Sequence, residues 1–371
     1  MVISFSYTFI NSFNEWKNAL STCSHDVNPD LFQIEYSFYD NLKSRKRKAT
    51  EEFSELQEFH DQLDKTLKDF QNDLRSKNEF IEVDNNIDRK IKNIKAKAIS
   101  KQYLENDKLI ETCYKFTVNK DMKLSDNEFQ YFHKLIENND KSNWETIEVF
   151  DKKYLLPPRS GFIMSDIKFA NKLISSTKRK FDLIVIDPPV KNKSVKQSNA
   201  YGFLDEMELL DLPVRKLVKE NTIVAVWCTN SDKSIYSIES CLFRSWGIKL
   251  KAICSWLKIT KSGHPVLDIN DRFRRPYEKL FLGRVQGDNA GKLSEKDALC
   301  DLDEHVILSV PCSLHSAKPN LQNFLSKFLT ENPDCLELFA RNLYPGWISW
   351  GNEPLKFLRT DLMVQKQQTD G

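Results

Sequence analysis

Glycine is scarce in this 371-residue chain, with ten in all. They are too thinly spread to form a Gly-x-Gly-x-x-Gly loop, and Gly291-Lys292 has neither the spacing nor the following Ser or Thr of a Walker A loop. A phosphate cradle for nucleotide hydrolysis is therefore excluded. The eight cysteines include no Cys-x-x-Cys pair, so zinc lacks its usual ligand spacing and no metal is expected. Cys228 and Cys254 sit inside apolar runs, as reduced, buried thiols do. Charge of one sign is missing too: 55 Lys and Arg against 53 Asp and Glu give a formal net charge of +2. The whole-chain charge therefore decides nothing about nucleic acid, and only local clusters can. No apolar run is long enough to span a bilayer, and the opening Met-Val-Ile-Ser-Phe-Ser-Tyr has no basic leader segment. The expectation is an intracellular, soluble protein with no membrane partner.

What is present divides at about residue 150. Before it, Phe53, Leu56, Phe59, Leu63, Leu67 and Phe70 recur at three- and four-residue spacing, the apolar stripe of an amphipathic helix. Residues 87–99 alternate Ile with Lys and Arg in a way that also suits a helix. Residues 1–150 read as a mainly helical accessory region, carrying a basic cluster at Lys43–Lys48. After it, short apolar runs recur at Phe181–Ile186, Ile223–Trp227, Leu250–Ile259, Lys279–Val285, Val306–Val310 and Leu336–Phe339. Continuous runs of this length suit strands buried on both faces, so residues 151–371 are predicted to form an α/β domain with a largely parallel sheet. Ligands of such sheets gather beyond the carboxyl ends of strands.

Beyond Phe181–Ile186 stand Asp187, Pro188 and Pro189. Neither proline has an N–H, yet each keeps its carbonyl, and φ is fixed at both. An exocyclic adenine amine needs such a surrounding to act as a nucleophile, because its lone pair is delocalised into the ring. The Asp187 carboxylate and a proline carbonyl can accept its two N–H bonds and turn the lone pair outward. An ordinary strand-ending turn has the same composition, so the surroundings must decide.

Those surroundings are ordered. Asp187-Pro-Pro-Val-Lys-Asn-Lys-Ser-Val, Trp227-Cys-Thr-Asn230, Trp256–Gly263, Arg275–Arg284, Val310–Pro319 and Leu336–Glu353 follow one another in a series that resembles the MT-A70 family of N6-adenine methyltransferases, most closely its methyltransferase-like protein four branch. The resemblance covers roughly residues 157–357 and implies a Rossmann-like class I methyltransferase sheet with helices on both faces. It implies S-adenosyl-L-methionine as cofactor and adenine N6 in nucleic acid as target. RNA is favoured over DNA, with small nuclear RNA adenosines as the substrate class. It places Asp187, Pro188 and Pro189 at the target amine, and assigns the cofactor to Asp166, Ile167, Asp187, Lys318, Arg341, Asn342, Asn352 and Glu353. Asp166 and Ile167 would contact its adenine, Lys318 its carboxylate, and Asn352 with Glu353 its ribose hydroxyls. Each role suits the group: a carboxylate accepts hydroxyl protons and a lysine is a point charge.

One residue departs from the family pattern, Val190 where the family has Trp, which removes aromatic surface beside the target base. Tyr201, Phe203 and Tyr277 could supply it instead. The alternative reading is a weak or inactive homologue that binds nucleic acid as a scaffold. Basic loops flank the strand end at Lys191, Lys193 and Lys196, at Lys258 and Lys261, and at Arg272, Arg274 and Arg275. Such clusters neutralise backbone phosphates. Together with Asn192, Tyr201, Tyr277 and Glu278 they make up the expected substrate surface. The cluster Lys43–Lys48 reads as a nuclear localisation signal or a further phosphate contact. Nuclear residence and no obligate partner subunit complete the expectations.

Overall fold

The computed structural model describes residues 5–34, 53–77, 86–103, 109–110, 112–113, 132, 134–169, 179–189, 206–271, 274–285, 297–314 and 317–366. In chain order the strands are β1 (Tyr7–Phe9), β2 (His25–Asp26), β3 (Leu135–Asn138), β4 (Glu145–Val149), β5 (Lys152–Leu156), β6 (Ser160–Met164) and β7 (Phe181–Ile186). They continue with β8 (Val218–Cys228), β9 (Lys249–Lys258), β10 (Tyr277–Arg284), β11 (Val306–Ser309), β12 (Cys335–Leu338), β13 (Trp347–Gly351) and β14 (Val364–Gln365). Ten of them form one sheet in the order β1-β11-β9-β10-β8-β7-β12-β13-β6-β3. The block β8-β7-β12-β13-β6 is parallel throughout. β10 runs antiparallel between β8 and β9, which restores β9 and β11 to the direction of the block.

The apolar runs form strands because both faces of the sheet are covered. Along β7, Leu183 and Val185 enter one core cluster, while Phe181, Ile184 and Ile186 enter the other. Successive side chains on a strand point to opposite faces, so a run without polar alternation marks a strand with no wet face. The sheet thus has the doubly wound, Rossmann-like arrangement expected of residues 151–371.

The N-terminal part is built into this sheet. β1 pairs in parallel with β11 at one edge, and β3 pairs antiparallel with β6 at the other. Of its helices, α1 spans Ser12–Ala19, α2 Phe53–Ser76 and α3 Asn86–Gln102. Leu63, Leu67 and Phe70 of α2 pack on Leu257, Ile259, Tyr277, Val306 and Leu308. Trp16 of α1 and Tyr103 beyond α3 join the main cluster. A division at residue 150 therefore does not separate two folding units. It falls inside the β4–β5 hairpin, at Phe150 and Asp151, whose φ values of 51° and 60° make the tight turn. Positive φ at both turn residues matches the twist of the flanking strands. Among the described residues no helix is long and apolar enough to cross a membrane.

Candidate active site

The parallel register brings the carboxyl ends of the strands into one row. Ile186 of β7 lies opposite Leu338 of β12, Leu338 opposite Trp350 of β13, and Gly351 opposite Met164 of β6. The residues that follow these positions must emerge side by side: Asp187, Arg341 with Asn342, Asn352 with Glu353, and Ser165 with Asp166. Backbone bonds hold the row together, Ser165 N–H to Gly351 C=O at 3.0 Å and Ala340 N–H to Trp350 C=O at 3.1 Å. Gly351 is required here. A Cβ on it would sit 3.0 Å from the Ala340 nitrogen, closer than the segments could allow without parting. β10, running the other way, begins at the same edge, which sets Glu278 beside the end of β8.

Along this edge runs a chain of alternating charge. Lys258 bonds Glu278, and Glu278 reaches Lys318 at 3.1 Å. Lys318 Nζ lies 3.0 Å from Asp187 Oδ1, and Arg341 Nη1 lies 2.9 Å from Asp187 Oδ2. Arg341 Nε continues to Glu353 at 3.4 Å, and Lys356 closes the series on Glu353 at 2.9 Å. The members are mostly removed from water, Asp187 and Lys318 each showing 11% of their side chains. Burial works against the charge of Glu278, but Lys258 and Lys318 outweigh it and bring its pKa down to about 2. Burial likewise works against charged Lys318, and Asp187 with Glu278 more than reverse that, holding its pKa above the ordinary lysine value. A carboxylate offers about four lone-pair positions. Asp187 uses two for Lys318 and Arg341 and keeps acceptor capacity for one more donor.

Several buried polar atoms at this edge have no hydrogen-bond partner among the described residues: Thr229 Oγ1 and Asn230 Oδ1 after β8, and Asn342 Oδ1 after β12. Unpaired buried acceptors are costly, and their gathering at one strand edge is what a site for a polar ligand requires. A small cavity there is lined by the polar residues Asp187, Lys318, Glu337, Arg341 and Asn342 together with Trp16, Ala317, Tyr344 and Phe357.

Of the residues singled out in the sequence, Asp187, Pro188, Pro189, Asp166, Lys318, Arg341, Asn342, Asn352 and Glu353 are brought to this edge. Ile167 is close in sequence, but it is 4% exposed and packs into the core. Three expected substrate contacts lie elsewhere in purpose. Tyr277 is 1% exposed, bonded through its hydroxyl to His60 of α2 at 3.0 Å, and cannot stack on a base. Glu278 and Lys258 bond within the protein, and Lys258 lies 4.6 Å over the Trp256 ring. Strand burial explains all three, since β9 and β10 are interior strands. Lys261 donates to Gln33 at 3.1 Å, and Arg275 stays partly exposed with its guanidinium 5.9 Å from the Tyr277 ring. Arg274 is exposed. Val190, Lys191, Asn192, Lys193, Lys196, Tyr201, Phe203, Arg272 and the cluster Lys43–Lys48 lie outside the described residues.

Sequence reading missed Glu337, which burial and, next, Asp187 push up to about 8. A carboxylate in the middle of the apolar run Leu336-Glu337-Leu338 was the signal for it. It also missed Trp16, whose approach to the site depends wholly on the docking of α1.

A doubly wound sheet with a row of charged residues at its carboxyl edge defines an α/β domain of the Rossmann-like class. Residues 181–353, a little under half of the chain, match the MT-A70 family model. The chain is 43% identical to the human N(6)-adenine-specific methyltransferase METTL4 over 235 residues, 63% of this chain and 49% of that protein. It is 35% identical over 225 residues to the N6-methyladenosine RNA methyltransferase MTA1 of Cryphonectria parasitica, covering 56% of this chain and 64% of that one. It is 36% identical over 210 residues to the DNA N6-methyl methyltransferase of Caenorhabditis elegans, covering 54% and 53%. The chain thus spans about half the length of METTL4.

Proposed function

We propose that this protein is an S-adenosylmethionine-dependent methyltransferase acting on the N6 amine of adenine in nucleic acid, in RNA before DNA. Small nuclear RNA adenosines are the substrate class and the nucleus is the place of action. The observation that carries the reading is the position of Asp187. It stands at the end of β7 with both carboxylate oxygens held by cations, in one row with Asp166, Asn352 and Glu353.

The residues fit the cofactor by their chemistry. Lys318 suits a carboxylate, Asn352 and Glu353 suit a pair of ribose hydroxyls, Asp166 suits an adenine amine, and Asn342 Oδ1 is a buried acceptor with no partner among the described residues. Bound there, S-adenosylmethionine supplies an electrophilic methyl group. Everything else is positioning. Asp187 accepts one N–H of the target amine, and a carbonyl of Pro188 or Pro189 accepts the other, which turns the nitrogen lone pair toward the methyl. Lys318 and Arg341 hold the carboxylate in place, so no reorganisation is needed during transfer. The names of the relatives support both RNA and DNA as targets. Incubation with labelled cofactor and a matched panel of RNA and DNA oligonucleotides tests the reading. Methyl incorporation into adenine N6 is expected, strongest in RNA, and no incorporation into any member would overturn it.

A further inference from the structure

Away from Asp187, the carboxyl ends of β9, β11 and β1 border a cleft of about 340 Å³, within the ~300–1,000 Å³ range of small-ligand pockets. Its walls include two aromatic pairs. Phe9 and Phe70 have centroids 5.3 Å apart with planes 34° apart, and Phe13 and Phe32 have centroids 5.6 Å apart at 60°. Phe9 is 40% exposed, an unusual state for a strand phenylalanine. Gln33 and Lys261, joined at 3.1 Å, add amide and ammonium groups to the lining.

The cleft is built from segments tied to one another. Lys261 N–H bonds Ile34 C=O at 2.9 Å, Gln71 of α2 donates to Gly263 C=O at 2.9 Å, and Ile10 N–H bonds Leu308 C=O at 2.8 Å. Two nearby acids are already engaged: Asp30 pairs with Lys95 of α3 at 2.8 Å, and Asp73 accepts from the Tyr7 hydroxyl. The surroundings therefore favour an aromatic ligand attached to negative charge. The sheet order puts β9 three strands and β1 five strands from β7. At ~4.8 Å per strand that is roughly 14–24 Å from Asp187 along the same ligand edge.

We propose that this cleft takes a flanking nucleobase of the RNA strand whose adenine is methylated, stacked on Phe9 with its edge read by Gln33 and its phosphate near Lys261. The proposal rests on the nucleic-acid reading above and adds a second contact some nucleotides from the target. Stacking on an aromatic side chain tolerates any base, so Phe9 anchors the strand whatever its sequence, and any base preference of the cleft comes from the Gln33 amide.

Fluorescence anisotropy with a labelled single-stranded RNA of about ten nucleotides, within the ~4–16 nucleotide footprints of single-strand binders, tests it. Phe9→Ala is expected to raise Kd roughly 5- to 150-fold, the equivalent of ~1–3 kcal/mol of stacking, while Phe9→Trp keeps wild-type affinity. Equal affinity of wild type and Phe9→Ala overturns the proposal. A second measurement needs no variant. RNA carrying 4-thiouridine on either side of the target is crosslinked to the wild-type chain and the peptides are mapped. Crosslinks to Phe9–Phe13 or Phe32–Gln33 support the cleft, and crosslinks confined to other peptides overturn it. Methylation with no effect at Phe9 would remove the cleft and leave the activity. Phe9-dependent RNA binding without methylation would do the reverse.

Discussion

Replacing Asp187 by asparagine keeps the shape of the side chain and removes its charge. Lys318 and Arg341 both approach this carboxylate, at 3.0 and 2.9 Å, and both are donors with no acceptor. An amide can satisfy one of them through its oxygen, but its NH2 then faces the other. One charge-assisted bond is lost, worth about 1.5–3 kcal/mol. Glu278 still holds Lys318 and Glu353 still holds Arg341, so neither cation is stranded and the variant should remain folded. At ~2–4 °C per kcal/mol for domains of 150–250 residues, Tm should fall by only several degrees. The effect on chemistry is larger. The amide is a poorer acceptor for the target amine, and by analogy with the removal of an oxyanion-hole donor turnover should fall roughly 10²–10³-fold. The assay is methyl incorporation into RNA at saturating cofactor, with Tm and cofactor affinity measured on the same preparations. Affinity should change far less than turnover. If wild type is active and Asp187→Asn equals it, Asp187 is not the acceptor. If both are inactive while both bind RNA, the enzyme reading fails and a scaffold takes its place.

Replacing Asn352 and Glu353 together by alanine should weaken S-adenosylmethionine binding well over tenfold in calorimetry, given ~1.5–3 kcal/mol for a hydrogen bond to a charged group; unchanged affinity would remove the ribose assignment. Glu278 has a folded-state pKa of about 2, below its unfolded value of 4.5, so the stability it contributes is present above pH 4.5 and lost as pH falls through 2. Denaturation of wild type and Glu278→Gln should therefore show a gap at pH 7 that narrows between pH 4.5 and 2, and a constant gap would refute the ion-pair account. Trp16→Ala should cost ~3–5 kcal/mol as a buried large-to-small change and should also weaken cofactor binding, because Trp16 lines the same cavity as Asp187 and Lys318. Normal stability in that variant would show that α1 is dispensable to the site.

Much of the parallel core was legible as sequence, because strands covered on both faces carry unbroken apolar runs. β7, β9, β11 and β12 appear within a residue of where those runs place them. That the polar residues after the strand ends stand in one row was legible as well, since a parallel register lines up whatever follows the strands. β6 and β13 escaped periodicity: Ser160-Gly161 and Ser349 interrupt their runs, and only the partners beside them make them strands. β1 and β3 escaped for a related reason, being short edge strands whose partners lie 299 and 28 residues away in the paired positions Tyr7↔Val306 and Leu135↔Ile163. No local pattern encodes such a pairing. Side-chain purpose was the hardest to read. Lys258, Tyr277 and Glu278 have the composition of a substrate surface, yet β9 and β10 are interior strands, so the two charges pair with each other and the tyrosine goes to His60. A sequence states which groups can ionise or stack. Whether they meet a ligand or one another is decided by which neighbours the fold sets within about 3 Å.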